Sequence, residues 1–248
     1  MNDHSITIVC VATTNQEASL AALIYSKRIF PVKQTLFVSD MISLETICGK
    51  NDVLFHYTTP FSSVVEWGQY IVFDLYKLIT TSHIILIHAD GFIININKWN
   101  QKFLYYDYVG APWPFPNDSY TYRDINNNLS RVGNSVSLRS LLLLELPTKL
   151  HLEWSGDLLN FHGHEDGFLC VHQKHVLEQN GCNFAPIKLA ASFSREVFTK
   201  YHFQNLVPFA FHRWNLFNFT FPRSNKNGTI TYFFDIFSLF PILDIFDE

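Results

Sequence analysis

Four consecutive apolar residues, Ile84-Ile85-Leu86-Ile87, run directly into His88-Ala89-Asp90-Gly91. Three of the four are β-branched, and the unbroken run predicts a strand buried on both faces, as in the middle of an α/β sheet. A carboxylate and an imidazole at the end of such a strand are not packing residues, because desolvating the carboxylate costs free energy unless a cation or donors meet it. Gly91 permits a tight reversal with another backbone or a ligand close by. The plainer reading of Asp90-Gly91 is an ordinary turn after a strand. Ligands in open α/β sheets bind outside the carboxyl ends of strands.

The same alternation of apolar runs and polar breaks extends along the chain. Ile6 to Val11 reads as a strand ending at Thr13-Thr14. Asn15 is placed to cap a helix through about Arg28, closed by Pro31. Thr35 to Val38 is a second strand, ending at Ser39-Asp40. This strand–helix–strand unit, with polar residues at both strand ends, suits a nucleotide-binding half-domain. Neither GxGxxG nor GxxxxGK[ST] occurs, which argues against Rossmann dinucleotide and P-loop chemistry. Asp52 to His56 reads as a third strand, and Ser62 or Ser63 caps a helix to about Ile79. Three prolines in 110–116 predict irregular chain there, 117–128 a polar surface loop, and Val132 to Ser137 another turn. A short Leu-rich helix follows, ending before Pro147. His162-Gly163-His164-Glu165-Asp166 opens a helix through about Gln179, stopped by Asn180-Gly181. Residues 190–197 read as irregular, and Val207 to His212 as a late strand.

Composition narrows the classes. The 248 residues are 48% hydrophobic, with 24 Phe and 11 Tyr, as expected of a packed globular protein. A net charge of −4 without a Lys/Arg cluster argues against nucleic acid as a partner. The four cysteines are scattered, which suits reduced thiols better than a disulfide framework. Met1 to Ser5 has no basic stretch leading into a sustained apolar run, and no segment reaches bilayer length, so a cytoplasmic location is expected.

His88-Ala89-Asp90, Gly133-Asn134, His164-Glu165-Asp166 and Pro208-Phe-Ala-Phe-His212 stand in an order that resembles the GT-A class of nucleotide-sugar glycosyltransferases. More closely, the chain is similar to a family of uncharacterised glycosyltransferase-like domains. Thr81 to Phe92, Tyr106 to Trp113, Val132 to Arg139, Glu165-Asp166 and Pro208 to His212 carry that likeness. It covers roughly residues 5–214. The resemblance implies a GT-A-like (Rossmann-like) α/β fold: a mixed, mostly parallel central sheet with helices on both faces. A nucleotide-binding half would occupy about 1–95 and an acceptor half about 96–214. Residues 215–248 would be an aromatic-rich C-terminal extension.

The activity implied is transfer of a sugar from a nucleoside-diphosphate sugar to a hydroxyl of a glycan or glycoconjugate. Asp90 and His212 would hold a divalent metal, Mn²⁺ or Mg²⁺, that neutralises the leaving diphosphate. Asp166 would be the general base of an inverting displacement. Glu165 would orient donor or acceptor hydroxyls. Thr13, Thr14, Asp40, His88 and Asp90 would seat the donor, and Trp113, Gly133 and Asn134 would line the acceptor side. His88 stands where the class has the first Asp of Asp-x-Asp, so one metal carboxylate is missing. Arg139 and Arg195 are candidates either for the diphosphate or for ordinary ion pairs.

Two other classes compete. His162-x-His164-x-Asp166 has the spacing of a Zn²⁺ hydrolase site, and a degenerate domain could bind sugar without catalysis. After Gly228 the tail is strongly apolar, so it should be covered by its own domain, by a partner subunit in an oligomer, or by peripheral contact with a membrane, and its exclusively acidic charges favour the first two over the membrane.

Overall fold

The computed structural model describes residues 3–154, 164–204, 207–212, 223–224 and 230–231. Its centre is a six-stranded mixed sheet made of β1 (Asp3–Val11), β2 (Val32–Ser39), β3 (Leu54–Tyr57), β4 (His83–Ile87), β5 (Tyr108–Pro112) and β6 (Val132–Ser140). Their order across the sheet is β3-β2-β1-β4-β6-β5. β1 to β4 pair in parallel, and β6 runs antiparallel to both β4 and β5.

The run at 84–87 is a central strand buried on both faces. Ile85 and Ile87 face a core shared with α1 (Gln16–Ile29), while Ile84 and Leu86 face another with α3 (Val64–Phe73) and α4 (Leu141–Lys149). The architecture is therefore α/β with helices on both faces of a mostly parallel sheet. A short helix α2 (Glu45–Lys50) lies between β2 and β3.

Several elements differ from the sequence reading. Residues 132–137 are not a turn but the first part of β6, the strand between β4 and β5. Gly, Asn and Ser in that stretch mark a bulge, since the β5–β6 register shifts between Val109 and Ala111 and Asn134 has φ 92°. β5 continues through Gly110-Ala111-Pro112, with the proline at the end of an edge strand where a missing N–H is tolerated. α3 stops at Phe73 and a 3₁₀ turn, Leu75–Leu78, completes the segment. Pro147 lies inside α4, in its last turn.

The segment after His164 is broken into three. α5 (Glu165–Gly167) leads into a π-helical turn, Phe168–His172, and then α6 (Lys174–Gln179). Residues 190–195 are regular, and only Glu196-Val197 of the segment read as irregular are so: α7 (Ile187–Phe193) passes straight into β7 (Ser194–Arg195), which pairs in parallel with β8 (Ala210–Phe211). In the C-terminal extension, β9 (Arg223–Ser224) pairs antiparallel with β10 (Ile230–Thr231), and the apolar stretch beyond lies outside the described residues. No helix among the described residues is long and apolar enough to cross a membrane.

Candidate functional site

The chain turns sharply where β4 ends. His88 and Gly91 exchange backbone hydrogen bonds, the His88 N–H donating at 2.7 Å and the Gly91 N–H at 3.2 Å. A Cβ on Gly91 would come within 2.8 Å of both the His212 ring and the Phe211 carbonyl. The close approach expected at this glycine is made by the chain itself. Residues 92–95 hold 209–211 through bonds such as Ile94 N–H to the Phe209 carbonyl, 2.9 Å, which carries His212 onto the turn. Its own N–H donates to the Arg195 carbonyl at 3.0 Å.

His212 then lies between two carboxylates. Nε2 is 3.6 Å from Asp90 Oδ1 and Nδ1 is 3.3 Å from Glu196 Oε1. The His212 side chain is 13% exposed, Glu196 29% and Asp90 52%, so the cluster opens to solvent on the Asp90 side. Burial would lower the imidazole pKa, but Asp90 and Glu196 outweigh it and raise it to about 9. His88 behaves oppositely: burial, helped by His212, pushes it down to about 4. Its ring lies 5.4 Å from Trp67 and 5.5 Å from His212, and its buried Nε2 has no hydrogen-bond partner.

Asn134 joins this cluster to a second one. Its backbone N–H donates to Asp166 Oδ2 at 3.1 Å, and its side-chain amide donates to Glu196 Oε2 at 3.1 Å. Its side-chain oxygen accepts from the Val136 N–H at 2.9 Å, and its carbonyl accepts from the Tyr108 hydroxyl. These bonds hold a non-glycine residue at positive φ, a conformation that persists only where the surroundings enforce it. Asp166 also accepts from the Gly167 N–H at 2.8 Å. Burial, then the neighbouring charges of Glu165 and Glu196, push its carboxyl up to about 7.

Glu165 occupies a different place from the one expected. Its side chain is fully buried and pairs with the equally buried Arg139, Nη2 to Oε1 2.7 Å. It faces the interior rather than a hydroxyl in the cleft. Burial alone would raise its pKa, but the charge and hydrogen bond of Arg139 hold it below the usual carboxylate range. Arg139 is thereby committed to the fold, bonding Ser137 Oγ at 2.8 Å as well. Arg195 is also buried, its guanidinium 4.9 Å from the Phe198 ring centre.

The acceptor-side residues divide. Asn134 is in the site, whereas Trp113 is buried and stacked on Tyr122 at 4.5 Å and 9°. A Cβ on Gly133 would overlap the Trp113 ring, so this glycine makes room for an indole and not for a sugar. On the donor side, Gln16 Nε2 bridges the Thr13 carbonyl at 2.9 Å and Asp40 Oδ1 at 3.0 Å, tying the ends of β1 and β2 together. Thr14 is exposed beside them. Trp67 links this edge to His88, donating Nε1–H to the Val11 carbonyl at 2.9 Å. His164 is exposed at the start of α5, and His162 lies outside the described residues.

Among the described residues no group of three or more His, Cys, Asp or Glu is gathered around a common cation position. Asp90 and His212 Nε2 face each other at 3.6 Å as an ion pair while the imidazole holds its proton, and they could act as two ligands of one ion only once Nε2 gives that proton up. Hard divalent ions are often held by one or two protein groups, with phosphate and water oxygens completing the shell. Glu196 Oε1 lies 3.3 Å from the far nitrogen, the position from which a carboxylate commonly backs a histidine when that histidine binds a metal. Sequence reasoning missed Glu196, because nothing in Ser194-Arg195-Glu196-Val197 distinguishes it from a surface acid.

Fold and site together define an α/β protein with an acid–base cluster where β1, β2 and β4 end and β6 begins. The chain belongs to the family described as "Protein of unknown function (DUF5672)", whose model matches residues 58–212. No curated protein sequence matches it. Among solved structures, it is similar to a glycosyltransferase involved in the glycosylation of the major capsid of PBCV-1, at 11% identity and a TM-score of 0.44. That alignment covers 84% of this chain and 92% of that one. Bifunctional IspDF from Campylobacter jejuni aligns at 12% identity and a TM-score of 0.40, over 73% of this chain. The chain spans about half of IspDF, 48%. Neither likeness bears on activity.

Proposed function

We propose that the protein is a glycosyltransferase that moves a sugar from a nucleoside-diphosphate sugar to an acceptor hydroxyl. The observation that carries this reading is Asp166. It is a carboxylate in a low-dielectric setting, held by two backbone N–H donors and raised to about 7, joined through Asn134 and Glu196 to the His212–Asp90 pair. A general base works best with a pKa near the operating pH. The order of motifs that resembles the GT-A class supports the same reading, because all four, separated by up to 124 positions in the chain, contribute a residue to this cluster.

Asp166 takes the proton of the acceptor hydroxyl as the acceptor oxygen attacks the anomeric carbon. The bond from that carbon to the diphosphate oxygen breaks, and the nucleoside diphosphate leaves with the electron pair. One such displacement inverts the anomeric centre. Asp90 and His212 would hold Mn²⁺ or Mg²⁺, which neutralises charge on the leaving diphosphate. Glu165, paired with Arg139, fixes the start of α5 and so aims Asp166. The polar ends of β1 and β2, at Thr13 and Asp40, suit the nucleoside.

The test is a panel of nucleotide sugars offered to the wild type and to Asp166→Asn. Wild type should bind and transfer, and the variant should bind the same donor while losing at least ~10²-fold in kcat, the usual worth of a general base. Equal transfer by the variant, or no stabilisation of wild type by any member of the panel, refutes the proposal.

A further inference from the structure

Among the described residues, Glu196 contacts both His212 on the cation side and Asn134 on the base side. Oε1 faces His212 Nδ1 at 3.3 Å and Oε2 accepts from the Asn134 amide at 3.1 Å. His212 presents its other nitrogen to Asp90, and Asn134 gives its backbone N–H to Asp166. A single carboxylate therefore bridges the end of β7 to the bulge of β6. We propose that Glu196 is a positioning residue that sets the cation-side imidazole and the base-side loop together, so that neither half of the site is in place without it.

The physical argument has two parts. A carboxylate behind a histidine fixes the ring orientation and raises the basicity of the outward nitrogen, and losing such a partner typically costs ~10–100-fold in metal affinity. On the other side, Asn134 sits at φ 92° and its side-chain amide is anchored by Glu196. Releasing that anchor frees the backbone N–H that Asp166 accepts. The charge of Glu196 also acts on Asp166 directly, together with Glu165 and Arg139. Tyr122, Tyr108 and Cys170 are the other titratable groups near Asp166.

The cation half of this inference rests on the function proposed above, and the Asn134 half does not. Two measurements on the wild type, Glu196→Gln and Glu196→Ala therefore separate them. The first is Mn²⁺ binding followed by paramagnetic resonance of the free ion. The second is the titration midpoint of the Asp166 carboxyl in metal-free protein, read by carbon NMR. Expected results are Mn²⁺ affinity weakened ~10–100-fold in Glu196→Ala, and an Asp166 midpoint moved down in Glu196→Gln, which keeps the shape but removes the like charge. Unchanged Mn²⁺ affinity in a folded variant overturns the inference while leaving the proposed function standing. A wild type that takes up no Mn²⁺ refutes the metal role of Asp90 and His212. The inference then stands or falls on the Asp166 midpoint, and an unmoved midpoint overturns it. If Glu196→Ala does not fold, Glu196→Gln serves for both measurements.

Discussion

Replacing Arg139 with Met should be among the most damaging single changes in the chain, and the structure says why in terms of charge. The guanidinium is wholly buried and meets an equally buried carboxylate at 2.7 Å. Methionine fills much of the same volume, and the Ser135 carbonyl keeps a bond from Ser137 Oγ at 2.9 Å. The loss therefore falls on Glu165, left as an unpaired charge in the interior. Breaking a buried pair from one side costs about 3–5 kcal/mol, a large share of the roughly 5–15 kcal/mol that holds a domain folded.

In urea, with a slope on the order of 3 kcal/mol/M, the unfolding midpoint should fall by about 1–2 M. The sign of the pH dependence follows from Glu165. In wild type its pKa is held below the usual range, so its contribution is present above about pH 4.5 and lost as pH falls through the folded value. In the variant the same carboxyl is destabilised when charged. The stability gap should thus be widest near neutral pH, narrow as pH falls toward about 4.5 because the variant's unpaired carboxyl takes up a proton, and narrow further below that as the wild-type pair is lost. Arg139→Met combined with Glu165→Met should recover most of the loss, since apolar replacement of a whole buried pair is often neutral. A gap under about 1 kcal/mol, or one unchanged between pH 7 and 4, refutes the reasoning.

Three further outcomes are expected. Because burial and the like charges of Glu165 and Glu196 raise Asp166 to about 7, transfer should increase as pH rises through 7. The fold should lose stability as pH rises from about 4 to 7, because the carboxyl ionises in the unfolded chain while the fold keeps it protonated, and Asp166→Asn should flatten both curves; kcat and denaturation profiles against pH check this. Gly110→Ala should destabilise by more than about 2 kcal/mol, or prevent folding, because its Cβ would overlap the Gly133 carbonyl, a backbone atom that cannot rotate away; a wild-type melting temperature would contradict the close packing of β5 on β6. Asp90→Asn should abolish any thermal stabilisation by Mn²⁺ with little change in the metal-free melting temperature, since Asp90 is largely exposed; scanning calorimetry with and without the ion decides it.

The parts legible in the sequence were those governed by local pattern. An unbroken β-branched run can be little else than a central strand, and Ser63 followed by Glu66 is a visible helix start, seen as a 3.2 Å cap bond from the Glu66 N–H. The antiparallel strand was not legible because its turn-like residues, Gly133, Asn134 and Ser135, are answers to tertiary demands. Gly133 yields to the Trp113 ring, and Asn134 to the bonds that bend β6. The period-2 spacing of Val136, Leu138 and Ser140 was a signal, but it was outweighed by composition.

Site residues divided by the same rule. Asp90, Asp166 and His212 were visible as polar groups where an apolar run or a helix begins or ends. Glu165 and Arg139 were visible as residues but not as a pair, since 26 positions separate them and only the fold brings them together. Glu196 had no local signature at all.

The placement of β6 accounts for why the cluster forms where it does. A strand that enters a parallel sheet in reverse begins where its neighbours end. Leu86 pairs with Ser137, so the residues before Ser137 lie at and beyond the end of β4, level with the His88–Gly91 turn. A parallel strand in the same slot would offer its last residues there and then have to leave the sheet. β6 instead arrives from the long loop after β5, bulges at Asn134, and continues inward to Arg139. One strand thus supplies the hub at the sheet edge and, five residues on, the buried cation that fixes α5. Because the bulge carries three of the contacts that align Asp166 and Glu196, straightening it would separate the two carboxylates without changing either. That dependence explains why a strained asparagine, and not a glycine that would relieve the strain, occupies position 134. Only a side chain with both a donor and an acceptor can hold Glu196 and the Val136 N–H at once.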